Sequence, residues 1–146
     1  MRCFFIGHHD ASESIYPKLV EAVRRHIEEY GVNEFVVGQY GSFDRMAARA
    51  VLTVKEKYPE VKLLILLPYH PSERAVHAPE GYDGTIYPPG METVPRRLAI
   101  VRANRYMVEH SDCVIAYISH YGNARDLFEH ATRCIERNLL TNIYSD

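Results

Sequence analysis

Cysteine is scarce in this 146-residue chain, with only Cys3, Cys113 and Cys134. The number is odd and no two share a CxxC spacing, which argues against a disulfide framework and against a zinc ribbon. A reducing, cytoplasmic setting is the expectation. Long apolar runs are missing as well. The opening MRCFFIGHHD holds too short a run for a signal peptide, and nothing downstream reaches transmembrane length, so no membrane partner is expected. Positive charge is not in excess: 17 Lys and Arg against 19 Asp and Glu give a formal net charge of -2. That balance offers no broad basic surface, and nucleic acid is not the expected partner. The dinucleotide fingerprint GxGxxG, the phosphate loop GxxxxGK(S/T) and the zinc motif HExxH are all absent. Dinucleotide and ATP-hydrolysis readings are correspondingly weak, and no cofactor and no metal are expected. There is no internal repeat, low-complexity tract or linker. At 47% hydrophobic and 25% charged residues, the chain has enough apolar material for one ordinary core, so a single domain over 1–146 is expected.

What is present is an alternation of short apolar runs and helical patterns. CFFI, within 2–7, reads as a strand buried on both faces. Ser12 or Ser14 can then cap a helix to about Tyr30, with Ile15, Leu19, Val23 and Ile27 on one face and Gly31 as its stop. EFVV at 34–37 is the second strand, followed by a glycine-containing loop with Asp44 where an N-cap belongs. Ala47, Ala50, Val51 and Val54 give the next helix an inner side. KLLILL at 62–67 is the third strand. From 68 to 90, five prolines and three glycines exclude a long regular element. Three tyrosines there (Tyr69, Tyr82 and Tyr87) suggest a packed rim or lid, with a short strand near 85–87. Thr93 is placed to cap a helix with Pro95 just inside its start, and Leu98, Val101, Met107 and Val108 form its imperfect inner stripe. A fourth major strand starts at Cys113. A last helix buries Ala124, Leu127, Phe128, Ala131 and Ile135, with Asn138 as C-cap and an edge strand at 141–144. The pattern predicts an α/β fold: a Rossmann-like three-layer sandwich with a mostly parallel sheet of about five strands. In a flavodoxin-like order, strand one would lie beside the strand at Cys113.

Candidate site residues gather at the strand ends. Gly7-His8-His9, the Gly38–Asp44 loop with Gly41, and His120-Tyr121-Gly122-Asn123 all follow strands, two of them leading into helices capped by Asp44 or Asn123. One such glycine ordinarily permits only a tight turn. Three at one sheet edge favour a ligand crevice, where helix N-terminal N–H groups suit a phosphate or carboxylate. His8, His9, His70, His77 and His120 could shuttle protons or ligate a metal, but a hydrogen-bonded loop histidine is the commoner outcome. Arg102 and Arg105, three apart in the densest cationic segment, read equally as a phosphate clamp or as a solvated face pairing with Glu92 or Glu109. Glu129, with Asp126 one turn before it, could support an oxocarbenium-like transition state or be an exposed, inert carboxylate.

FIGHHD at 5–10, GSFDRMAARAV at 41–51, LLPYHPSE at 66–73, RANRYMVEHSDCVIAY at 102–117 and the glycine turn after it together resemble the SLOG superfamily. This Rossmann-like group includes the Smf/DprA DNA-processing proteins and the LOG nucleotide hydrolases, and the likeness is greatest to its small stand-alone bacterial members. The resemblance implies binding of a nucleotide-like small molecule, such as a phosphorylated nucleoside or an ADP-ribose-like signal, at the carboxyl edge. Gly7, His8, His9, Gly38, Gly41, Asp44, Arg102, Arg105, His120, Gly122 and Asn123 would form the site, and a loop tyrosine would stack on the base. It implies alternatively an N-glycosidase acting on a nucleoside monophosphate, with Glu129 catalytic. The hydrolase motif PGGxGTxxE here reads Ser119 to Glu129 with one glycine, and a GHR pattern reads Gly7-His8-His9, so the sequence leaves open whether a bond is broken. A non-catalytic scaffold is the third reading, and a homodimer or higher homo-oligomer is implied by analogy.

Overall fold

A computed structural model describes residues 1–73 and 80–145. Six strands form one sheet: β1 (Arg2–Gly7), β2 (Glu34–Val37), β3 (Lys62–Leu66), β4 (Gly84–Ile86), β5 (Cys113–Tyr117) and β6 (Leu140–Asn142). Four helices connect them: α1 (Tyr16–Tyr30), α2 (Ser42–Lys55), α3 (Ala99–Glu109) and α4 (Asn123–Cys134). The spatial order is β4-β3-β2-β1-β5-β6, and every pairing is parallel. The expected Rossmann-like α/β sandwich is therefore present, with six strands where about five were expected. The order is the Rossmann type and not the flavodoxin-like one, because β2, β3 and β4 step away from β1 on the same side. The chain returns to the other side of β1 only at β5, so the direction of winding reverses between those two strands.

Side-chain alternation explains why both faces of the sheet are covered. Along β1, Cys3 and Phe5 enter a core shared with α1 and α2, whereas Phe4 and Ile6 enter a second core shared with α3 and α4. The same period-2 division sends Cys113 and Ile115 of β5 one way and Val114 and Ala116 the other. A strand with no polar face must be buried twice, and parallel crossovers place helices on both sides. Leu19, Val23, Ala47, Ala50 and Val51 are buried against the first face as their spacing predicts.

Several boundaries differ from expectation for local reasons. Ser12 Oγ accepts the Ser14 N–H at 3.2 Å and caps a 3-10 turn, Glu13–Ile15, before α1 proper. Gly31 ends α1 in the left-handed region at φ 72. α3 does not begin at Thr93. Pro95 holds Val94 extended at ψ 131, so the segment splits into two 3-10 turns, Met91–Thr93 and Arg96–Leu98, with α3 following at Ala99. That shift turns Ala99, Ala103 and Met107 inward, four apart, and leaves Leu98 and Val101 exposed, correcting the expected stripe. Asn138 lies in a 3-10 turn, Arg137–Leu139, and α4 ends earlier, with Ile135 as its cap. The short strands β4 and β6 each sit one residue earlier than expected. Within 68–90, Tyr82 packs against the first core and Tyr69, Ile86 and Tyr87 against the second. This described part therefore forms wall and edge strand. Residues 74–79, His77 among them, lie outside the described residues. Among the described residues, no helix is long and apolar enough to cross a membrane.

Phe5 is the most consequential single core residue for the site, since it sits between Phe35 at 5.8 Å and Phe43 at 6.4 Å and ties β1 and β2 to the first turn of α2. Phe5→Ala is expected to cost about 3–5 kcal/mol, read as a lower urea midpoint at unchanged slope.

Candidate functional site

The reversal between β1 and β5 opens a crevice of about 550 Å³ at their carboxyl ends. Its size lies within the usual range for ligand pockets. Three turns and one helix wall enclose it. Gly7, His8 and His9 come from the end of β1, Gly38, Tyr40 and Asp44 from the β2–α2 turn, and His120, Tyr121, Gly122 and Asn123 from the β5–α4 turn. The wall consists of Ile100, Val101, Ala103, Asn104 and Arg105 on α3.

His8 joins two of the turns. It is buried to 5% exposure, and its Nε2 accepts the Ser119 N–H at 3.0 Å. That bond requires Nε2 to be unprotonated, so the neutral ring carries its proton on Nδ1. The His120 ring stacks on it at 3.6 Å between centroids, and Tyr117 meets it edge-on at 6.1 Å. Burial lowers the His8 pKa from its ordinary 6.5, His120 and His9 lower it further, and Asp10 opposes them.

Asp44 is not the N-cap of α2. Gly41 takes that place at φ 105, a conformation that disfavours any side chain, and a Cβ there would lie 2.6 Å from the His9 Cα. Asp44 occupies the third helical position and reaches back, its Oδ2 accepting the Tyr40 N–H at 3.1 Å. The same oxygen crowds Gly38, where a Cβ would come within 2.6 Å of it. Enclosure strips water from the carboxyl and pushes its pKa up to about 7, against the smaller opposing effects of the Tyr40 N–H and Arg45. Oδ1 has no hydrogen-bond partner among the described residues.

Asn123, likewise, is the first residue of α4 rather than its cap. Gly122 is the cap, and no side chain bonds to the free N–H groups of this helix end. They open toward the crevice, which Asn123 and Ala124 line. Tyr121, 79% exposed, stands at the mouth, with the Arg125 guanidinium 4.0 Å from its ring centroid.

Of the residues singled out in the sequence, Gly7, His8, His9, Gly38, Asp44, Arg105, His120, Gly122 and Asn123 line the crevice. Gly41 shapes it from behind through His9. Arg102 does not line it, because positions 100, 101, 103, 104 and 105 form one broad helical face and 102 points away from its centre. Glu129 is also outside. Asp126 and Leu127 line the crevice from α4, whereas Glu129 pairs at 3.3 Å with Arg125, the same arginine that reaches the Tyr121 ring at the mouth. Tyr40 and Tyr121 lay within the candidate turns but were given no role of their own, and Arg125 was not singled out. The four-residue spacing of Tyr121 and Arg125 across a glycine turn is the signal that could have found the last two.

No family model and no curated protein matches this chain. Among solved structures it is similar to DNA processing protein A from Helicobacter pylori, with TM-score 0.56 and 14% identity, over 99% of this chain and 70% of that one. At that identity the likeness establishes the Rossmann-like fold. The similar protein is described by its binding of single-stranded DNA. This overturns both the expected small nucleotide-like ligand and the expectation that nucleic acid is not a partner. The second expectation rested on net charge, which averages over a whole surface.

The two shifted groups act on stability in opposite directions. For His8, with its folded pKa below 6.5, the stabilisation is complete above about pH 6.5 and is lost as pH falls toward the folded value. Asp44, raised from 3.8 to about 7, favours the folded state while protonated; that contribution is complete below about pH 3.8 and is lost progressively as pH rises to about 7. Chemical denaturation across pH is therefore expected to show Asp44→Asn gaining steadily on wild type between about pH 4 and about pH 7 and no further above that. His8→Gln should flatten the loss below about pH 6.5.

Proposed function

We propose that this chain is a single-domain, cytoplasmic member of the SLOG superfamily that binds single-stranded DNA across the mouth of the β1–β5 crevice. The observation that carries the reading is the Tyr121–Arg125 pair. A tyrosine left 79% exposed, with a guanidinium 4.0 Å over its ring, stands on a glycine turn beside an open crevice. Exposed aromatic faces cost solvation, and a planar cation–aromatic pair offers nucleobases a stacking surface that any base can use. Tyr40, 41% exposed, supplies a second aromatic edge from the β2–α2 turn.

Backbone phosphates have matching partners nearby. The uncapped start of α4 presents N–H groups at the crevice, and Arg105 lies on the α3 wall. Arg96, over the Tyr69 ring at 5.2 Å, extends the cationic path along the described part of the rim. With a net charge of -2, attraction to DNA is local, so stacking must supply much of the affinity. The likeness to the Helicobacter pylori protein supports the same class of ligand on the same fold.

Fluorescence anisotropy with a labelled thymine oligonucleotide of about 20 nucleotides tests this. Tyr121→Ala is expected to weaken binding about tenfold, within the range for loss of one stacked base. Arg125→Ala should reduce the slope of log affinity against log salt by about 0.7. A wild-type protein that leaves the oligonucleotide free at low salt would refute the reading.

A further inference from the structure

We infer that Asp44 is a specificity-determining residue that selects guanine from a bound strand. This rests on the single-stranded DNA reading and adds to it which base enters the crevice. The mouth holds sequence-tolerant stacking groups, but the interior does not treat all bases alike. Asp44 lines it with a carboxylate whose Oδ2 is fixed by the Tyr40 N–H at 3.1 Å and whose Oδ1 has no partner among the described residues. The side chain cannot retreat, because Gly38 and the first turn of α2 hold it from behind.

A carboxylate offers only acceptors. The pairing edges of the bases differ in what they present to it. Guanine has two adjacent donors, the N1–H and the N2 amino group, and both can converge on Oδ1, while Oδ2 stays on the Tyr40 N–H. Adenine and cytosine each put an acceptor nitrogen beside their single amino donor, which repels one carboxylate oxygen. Thymine flanks its one N–H with two carbonyls. In a single strand these edges are exposed for reading.

The surroundings strengthen the preference. Partial enclosure pushes the free carboxyl up to about 7 and favours any donor that offsets the cost of its charge. Two donors from guanine supply that offset at Oδ1. His8 cannot serve as the competing partner through Nε2, which is engaged by Ser119. The volume of about 550 Å³ accommodates a base with its sugar.

The test compares thymine oligonucleotides of about 20 nucleotides carrying one central guanine, adenine, cytosine or thymine, at about pH 8, by anisotropy. Wild type is expected to bind the guanine strand about tenfold tighter than the adenine strand, as for one good base-edge contact with two donors. In Asp44→Asn the amide N–H₂ opposes the guanine donors, and the guanine-to-adenine ratio is expected to fall to about one. Equal wild-type affinity for all four strands overturns the assignment of Asp44 while leaving the DNA-binding reading intact. A guanine preference that survives in Asp44→Asn also overturns it. Failure of every strand to bind overturns both. The wild-type ratios decide the matter even where the variant is too unstable to assay.

Discussion

The parallel pairing of β1 with β5 is the constraint on which the site depends. Gly7 lies in register with Tyr117, so the turns after the two strands must emerge side by side. Everything beyond those residues follows from that adjacency. His8 can reach the Ser119 N–H only because the strands end together, and the bond it makes fixes the turn that carries His120, Tyr121 and Gly122. The pairing is itself secured by double burial, since neither strand has a polar face to offer solvent. A sheet edge that would otherwise expose its termini to water becomes a crevice with defined walls.

Inside that crevice the two perturbed groups have opposite histories. His8 is kept neutral by burial and by neighbouring imidazoles, and its neutral form is the one that accepts the Ser119 N–H. Asp44 is anchored on one oxygen and exposed to the crevice on the other, in a place that penalises its charge. One group therefore holds the architecture and the other faces the crevice. The arginine at the mouth has a third role. Arg125 is divided between Tyr121 and Glu129, both exposed contacts of small energy.

The fold was largely legible because its signals are local and redundant. FFI, FVV, LLIL and VIA leave little choice but doubly buried strands, and helical spacing at Leu19–Val23 or Ala47–Val51 states which face turns inward. The strand order was not legible, because nothing in a run of apolar residues says on which side of β1 the next strand lands. The start of α3 was misjudged where Pro95 acts on its predecessor, and moving the cap from Thr93 to Leu98 changed which side chains are exposed. At the site, glycine turns marked the correct edge, and nine of the residues singled out in the sequence line the crevice. Arg102 and Glu129 fell outside for one reason: a helix face is set by rotation about an axis whose orientation the sequence does not state. Tyr121 was passed over because an exposed aromatic is recognisable only once its surroundings are known.

The most direct test of the account is a chemical-shift map of the labelled protein titrated with single-stranded DNA and, separately, with the same sequence as a duplex. The account predicts that the single strand shifts Tyr40, Tyr121, Gly122, Asn123 and the Arg125 side chain, and that the duplex, whose bases are already stacked, does so far more weakly. Shifts confined to surfaces away from the β1–β5 crevice, or equal for strand and duplex, would contradict it.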